Sequence, residues 1–310
     1  ASSFLAYGGS LRVVRADDDD LKNAVDSSNS TTSIKIKSTD HYEELGYDEN
    51  VVPNVIVTGK NPGSWANGIR VAILDCKADQ ILELPATGIA TVGFGVTQAI
   101  DSILPGVGAG TTLDGVLKGI ITQVEGAQAY VKVVSHVSAA GTETAVDYQQ
   151  NGIYQFGTEY NITVVNNAGE AGIHTSVNAK ADWFDQQTLA TSTSNVGVGT
   201  SVASIKWNVI ADRPGTSDYA SARGSRFDEL HVVVLDGDGK ITGNAGTILE
   251  KHLSLSKAKD AEFSVGSPAY WRKYLKTNSN FIFGGGAPTG LTTTGFSAAF
   301  TEQGDLGWDQ

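Results

Sequence analysis

The sequence predicts an α+β, β-rich multidomain fold: a mixed α/β-sandwich domain carrying an inserted small all-β domain, barrel- or sandwich-like. Three observations predict it. β-branched and aliphatic runs at 69–74 and 231–235 have the length and composition of buried strands. A helix start follows, with Ser267 as cap, Pro268 in the first turn, and Trp271 and Leu275 four apart. Between these regions, 86–200 turns to Gly, Thr, Ser, Ala and Val with sparse charge, and short strand candidates alternate with Gly- or Asn-containing turns. The expected boundaries are 1–80 with 205–310 as one discontinuous α+β domain, and 81–204 as the inserted, protruding β-rich one.

In chain order, 2–7 reads as the tail of a helix closed by Gly8 and Gly9, and 11–14 as a short strand. The acidic run at 17–20 opens a further helical turn, where carboxylates favour exposed N–H groups. SIKIK at 33–37 alternates as a half-exposed strand does, 51–58 is β-rich, and NPGSW at 61–65 is a turn bearing one large aromatic. Strands are expected at 91–96, 119–124, 129–137, 153–156 and 160–165, and again at 202–210. Leu249, Leu253 and Ala258 give 248–261 a helical spacing. Neither terminal stretch closes an element and the chain has no Met, so a fragment of a longer product is expected.

A formal net charge of −12 opposes binding to nucleic acid or to an anionic membrane by bulk electrostatics. No apolar run reaches the roughly 18 residues of a membrane span, and no secretory leader precedes Ala1. Cys76 is the only cysteine, which leaves no disulfide framework.

The motifs that invite chemistry fail on spacing. DGDGKITG at 236–243 imitates a calcium loop, with Asp236 and Asp238 at its third and fifth positions and Gly239 at its sixth. Val234 and Ala245 then occupy the first and twelfth positions and supply no carboxylate. A hairpin returning through 240–242, with its acids outside, is the expected structure. Ser217, Asp228 and His231 suggest a hydrolase triad without a G-x-S-x-G elbow; local turn hydrogen bonds are expected there instead. His41, His136, His174, His231 and His252 form no zinc spacing. GVGAGTT at 106–112 lacks the lysine of a phosphate loop. Paired acids such as Glu43 with Glu44 and Asp228 with Glu229 do not establish the opposed carboxylates of a glycosidase. Asn29 and Asn161 lie in glycosylation triplets that chance explains. Tyr148, Tyr154, Phe156 and Tyr160 could line a saccharide platform, with cross-strand packing the simpler reading. No catalytic, cofactor-binding or metal residue is therefore assigned.

Four patches, in order, resemble one family, the contractile tail sheath proteins of large tailed bacteriophages, and most resemble those of myophages infecting marine cyanobacteria. They are FLAYGGSLRVVR at 4–15; NPGSWANGIRV at 61–71; ADRPGTSDYA at 211–220 with DELHVVV at 228–234 and DGDGKITG at 236–243; and GTILEK at 246–251 with LSKA at 255–258 and YWRKYLKTN at 270–278. Ala66 stands where the family usually has Gly. The stretch 86–200 matches poorly. The resemblance implies a structural, non-enzymatic subunit in the outer layer of the phage tail, assembled in the host cytoplasm. It implies other copies of the subunit as partners, in hexameric rings stacked helically. The tail tube and baseplate would be met through an N-terminal arm and a C-terminal inner domain mostly absent here. It implies no cofactor, no nucleic acid and no membrane insertion. A cell-surface or secreted adhesive β-domain binding saccharide is the alternative.

Overall fold

The computed structural model describes residues 21–25, 34–50, 52, 55–100, 115–150, 154–157, 162–165, 174–190, 204–286 and 296–299. The strands are β1 (Val57–Gly59), β2 (Ile69–Asp75), β3 (Gln80–Glu83), β4 (Gly95–Ile100), β5 (Gly115–Glu125), β6 (Gln128–Val137), β7 (Glu143–Ala145), β8 (Ile162–Val165) and β9 (His174–Asp182). They continue as β10 (Thr188–Ala190), β11 (Ser204–Lys206), β12 (Glu229–Asp236), β13 (Thr247–Ser256), β14 (Glu262–Ser264), β15 (Ser267–Pro268), β16 (Ile282–Gly284) and β17 (Phe296–Ala299). The helices are short: α1 (Thr39–Glu44), α2 (Trp183–Gln186), α3 (Asp218–Ser221) and α4 (Trp271–Asn278). The fold is mixed α/β, β-rich and multidomain, with several small sheets. None of the helices among the described residues is long and apolar enough to cross a membrane.

The four-stranded sheet has the order β13-β12-β2-β17. β2 and β12 pair antiparallel from Leu230 opposite Asp75 to Asp236 opposite Ile69. Side chains alternate across a strand, so each apolar run feeds two cores. Ile69, Val71 and Ile73, with Leu230, Val232 and Val234, face β1, β16 and the Trp271–Leu275 side of α4. Ala72, Leu74, Val233 and Leu235 face the other way, onto Trp183, Trp207, Ile81 and Tyr130. Covering both faces explains why these strands read as continuous apolar runs rather than alternating ones.

The larger sheet has the order β3-β9-β8-β4-β5-β6-β7, and β3 pairs with β6 as well as with β9. Leu82, Val96, Leu117, Ile121, Val131, Val133, Phe156, Ile162 and Val164 fill its core. Gly119 is required there, because a Cβ would come within 2.7 Å of Val131 and 3.0 Å of Phe156.

Several expectations are corrected. Residues 248–261 are not helical: 247–256 form β13, because β12 presents an unpaired edge and tertiary pairing overrides the leucine spacing. Ser267 and Pro268 do not open α4; they pair with β14 as β15, and the helix begins at Trp271 with Tyr270 before it. The expected strand at 153–156 is absent from 154–156, where two glutamine side chains take the place of a strand partner. The Gln80 amide accepts from Phe156 N–H and donates to its carbonyl, at 2.7 and 3.0 Å, and Gln98 does the same for Gly157 at 2.9 Å each way. The strand expected at 91–96 lies at 95–100, and among the described residues of 202–210 only 204–206 are strand, followed by a single 3-10 turn at Trp207. Residues 240–242 are turn, and the hairpin returns only with β13. Among the described residues of 51–58, Val57 and Thr58 alone belong to a strand. At 34–37 the alternation is real, with Ile34 and Ile36 buried, but no ladder forms; the Asn23 side chain bonds both polar groups of Ile36. The elements expected at 2–7, 11–14 and 17–20 lie outside the described residues.

Candidate functional site at the junction of the two sheets

The chain leaves β2 for β3 through Asp75, Cys76, Lys77, Ala78 and Asp79, and every one of these residues is buried. A buried crossover with four ionisable side chains demands partners, because an unpaired buried charge is costly. The partners come from both sides. Asp79 accepts from Lys132 Nζ on β6 at 2.9 Å and from the Val133 N–H at 2.8 Å, with Arg213 Nη1 3.9 Å away. Lys132 Nζ also lies 2.8 Å from Cys76 Sγ and 4.3 Å from the centre of the Phe227 ring. Lys77 donates to Gln123, which in turn donates to Glu125, and Glu125 accepts from Tyr130 Oη at 2.9 Å. Asp75 faces Lys257 at 3.6 Å.

A second cluster stands beside this one. Arg213 pairs with Asp182 and stacks over the Tyr148 ring at 4.7 Å, while Tyr148 Oη donates to Asp182 at 2.7 Å. Arg226 donates to the carbonyls of Val134 and Val146 and to Asp147. Phe227, next to it, is held at φ 63°, a left-handed backbone that strains a non-glycine residue. Its N–H donates to Thr216 Oγ1 at 2.9 Å, and the neighbouring Asp228 accepts from Ser217 and Ser256. The strained turn thus aims the Phe227 ring at Lys132.

Burial shapes the proton affinities here. It pushes the Cys76 thiol up, against the opposing pull of the Lys132 ammonium. It would lower Lys132, but Asp79 and Cys76 together outweigh it and the ammonium is held above its ordinary value. It brings Lys77 down to about 8 and lifts Tyr130 to about 12 and Tyr148 further still. The arrangement is an internally neutralised joint tying β6 and β9 to the strand β2 and the 213–228 segment.

The residues singled out by sequence are spent elsewhere. Ser217 caps α3, accepting from the Ala220 N–H at 3.1 Å, and its hydroxyl donates directly to Asp228 at 2.7 Å, with no imidazole between. His231 Nδ1 accepts from the Ser254 N–H at 2.9 Å, so Nε2 carries the hydrogen and donates to the Asp212 carbonyl at 2.8 Å. No triad forms, and the local turn bonds are present. Tyr148 and Phe156 are drawn inward, Tyr154 packs against the same core, and Tyr160 lies outside the described residues. His41 accepts from the Lys37 N–H at the start of α1, and His252 pairs with Glu250 at 3.0 Å. His136 is buried beside Tyr154. The side chain of His174, the glycine loop at 106–112, Asn29 and Asn161 fall outside the described residues. Among the described residues no group of three or more His, Cys, Asp or Glu is placed to hold a metal.

The acidic turn is the largest correction. Asp236 does not face outward; it is 0% exposed. Its carboxylate accepts from the N–H groups of Gly239, Ile241 and Thr242 at 2.9, 3.1 and 2.6 Å and from the Thr242 hydroxyl at 2.8 Å. The donors that fold the loop occupy the oxygens a cation would need. Asp238 lies over Gly68, where a Cβ would come within 2.1 Å of its carboxyl group. Burial alone would raise the Asp236 carboxyl, yet the bonds from Thr242, Gly239 and Ile241 hold it below the usual carboxylate range. Asp228 is lowered in the same way by Ser256 and Ser217, and Glu250 by His252, Asn280 and Ser279, against their burial.

Carboxyls depressed in the folded state stabilise it fully above their unfolded values of about 4, and the contribution is lost as pH falls through the lower folded values. Acid unfolding of the wild type should therefore steepen below about pH 4. Asp236→Asn, which removes one such group and leaves loop donors unpaired, should cost about 1–3 kcal/mol at neutral pH and flatten the acid slope. Urea unfolding at stepped pH measures both; an unchanged slope in the variant would contradict the assignment.

The junction residues were not visible to sequence analysis. The one signal was four ionisable residues within 75–79, directly after a core strand. Comparison with family models, with curated proteins and with solved structures yields no match to this chain.

Proposed function

We propose that this chain is the outer part of a contractile tail sheath subunit, a structural element that keeps its shape while contacts between subunits rearrange. One observation carries the reading. The three sheath-like patches within the described residues come from distant parts of the chain yet meet around one sheet: 61–71 ends in β2, 228–236 forms β12, and 246–258 supplies β13. They also interlock at their turns. Gly237 N–H donates to the Gly68 carbonyl at 2.8 Å, and Trp65 packs on Phe281 beyond α4. The stretch that carries no patch builds the other sheet. The patch at 4–15 lies outside the described residues.

The finer architecture belongs to the same proposal. Residues 1–80 with 205–310 form an α/β-sandwich domain, and 81–204 an inserted barrel-like one. Passage of the chain from β2 into β3, and its return through β11 to β12 beside β2, supports the insertion. Pairing of β3 with both β6 and β9 supports the barrel. Contraction requires bodies that transmit load without deforming. A joint whose central pair, Lys132 with Asp79, is sealed from solvent and salt suits that demand.

In this reading the partners are further copies of the subunit in stacked hexameric rings on the outside of the virion tail. The chain acts without cofactor, nucleic acid or membrane insertion, and it catalyses nothing. Electron microscopy of the full-length subunit tests it: hollow tubes carrying this region on their outer face are expected. Dispersed particles, with saccharide binding by the isolated chain, would favour the adhesive alternative, whose aromatic face is largely drawn into the core. The chain alone should be monomeric at micromolar concentration, because outer contacts that must break on contraction are small. A stable hexamer in light scattering would count against the division of labour proposed.

A further inference from the structure

The geometry points to a redox cross-link between Cys76 and Lys132, formed with hydrogen peroxide as oxidant and joining sulfur to side-chain nitrogen. Lys132 Nζ lies 2.8 Å from Cys76 Sγ. That is within the range of about 2.7–3.2 Å for N–H···O bonds, although sulfur is the larger atom. Both residues are buried, and Asp79 and the Phe227 ring hold the nitrogen from two other sides. The chain has one cysteine, so an oxidised Cys76 finds no thiol within this chain to pair with. The nucleophile in contact with it is Lys132.

The chemistry balances within the pair. The ammonium beside Cys76 favours its thiolate, which attacks one oxygen of hydrogen peroxide. The O–O bond breaks, Cys76 becomes a sulfenic acid, and the departing hydroxide takes a proton from Lys132 to leave as water. This converts the ammonium to a free amine at the moment its target appears. The amine attacks the sulfenic sulfur, the S–O bond breaks, and hydroxide leaves with a proton from nitrogen as a second water. Sulfur loses two electrons to peroxide oxygen, and the product is an S–N bond that a thiol reductant can reopen. Because burial holds the thiol above its ordinary value, the reaction should be slow. The bond would join β6 to the crossover after β2, pinning one sheet to the other across the joint.

The test uses the whole chain. After exposure to peroxide and digestion without reductant, mass spectrometry should find the Cys76 and Lys132 peptides linked, two hydrogens lighter than their sum. Dithiothreitol should separate them. Chain unfolded in urea before oxidation should give no link. Lys132→Arg keeps the charge but lacks the amine, so dimedone added as the oxidised chain is unfolded in urea should trap its Cys76 sulfenic acid, whereas wild type oxidised while folded should already be cross-linked and not label. The proposal is overturned if folded wild-type Cys76 ends as free thiol, as sulfinic acid or as a disulfide between chains. It is equally overturned if dimedone labels wild type and Lys132→Arg alike.

Discussion

Asp79→Ala is expected to destabilise the chain by about 3–5 kcal/mol, the cost of leaving a buried charge without its partner. The Asp79 and Lys132 side chains are only 2% and 5% exposed, so water does not replace the lost carboxylate. The substitution also strands the Val133 N–H and removes the more distant of the two anions facing Arg213. The informative comparison is the double variant Asp79→Ala with Lys132→Met. With neither member of the pair left to bury, it should recover a large part of the loss, giving a strong coupling in a double-mutant cycle. Urea midpoints at constant slope measure all the states. The exposed Lys118–Glu143 pair is the control, and Glu143→Ala should leave the midpoint in place. If Asp79→Ala behaves like Glu143→Ala, the joint is not held by its charges.

How much of this was legible in the sequence depends on where each residue's partners lie. β2 and β12 could be read because the runs at 69–74 and 231–235 declare burial by themselves. The strands 119–124 and 129–137 could be read because a short turn joins them; β6 extends its segment by one residue, whereas β5 begins four residues earlier than expected, at Gly115. β13 could not: Leu249 and Leu253 are spaced as on a helix, and only the open edge of β12 makes the segment a strand. Asp236 was legible as a turn residue but not as a buried one, since its donors are supplied by the loop it folds. The joint was the least legible part. Cys76 and Asp79 are separated from Lys132 by 56 and 53 residues, and no local pattern connects them. The strain at Phe227 has no sequence signature, because the left-handed region is ordinarily reached by glycine, asparagine or aspartate.

Trp183→Ala should cost about 3–5 kcal/mol, the usual range for removing a large buried aromatic. It should also change how the molecule unfolds. Trp183 is fully buried between Ala72, Leu74, Val233 and Leu235 of the smaller sheet and Ile81 and Tyr130 of the larger. Its own backbone is fixed to the joint, with its N–H donating to the Asp79 carbonyl at 2.9 Å. The ring therefore couples two bodies that each retain a separate core. Wild type should melt in one transition, and Trp183→Ala should split into two, followed by circular dichroism and by amide exchange on β5 and on β12. Trp183→Phe separates the contributions. It keeps an aromatic ring in the gap and deletes an indole N–H that is buried without a hydrogen-bond partner. Relief of that desolvation, of order 1–3 kcal/mol, offsets lost packing, so this variant should stay close to wild type and melt in one step. A single transition in Trp183→Ala, with the midpoint unmoved, would mean that the charged joint alone couples the sheets.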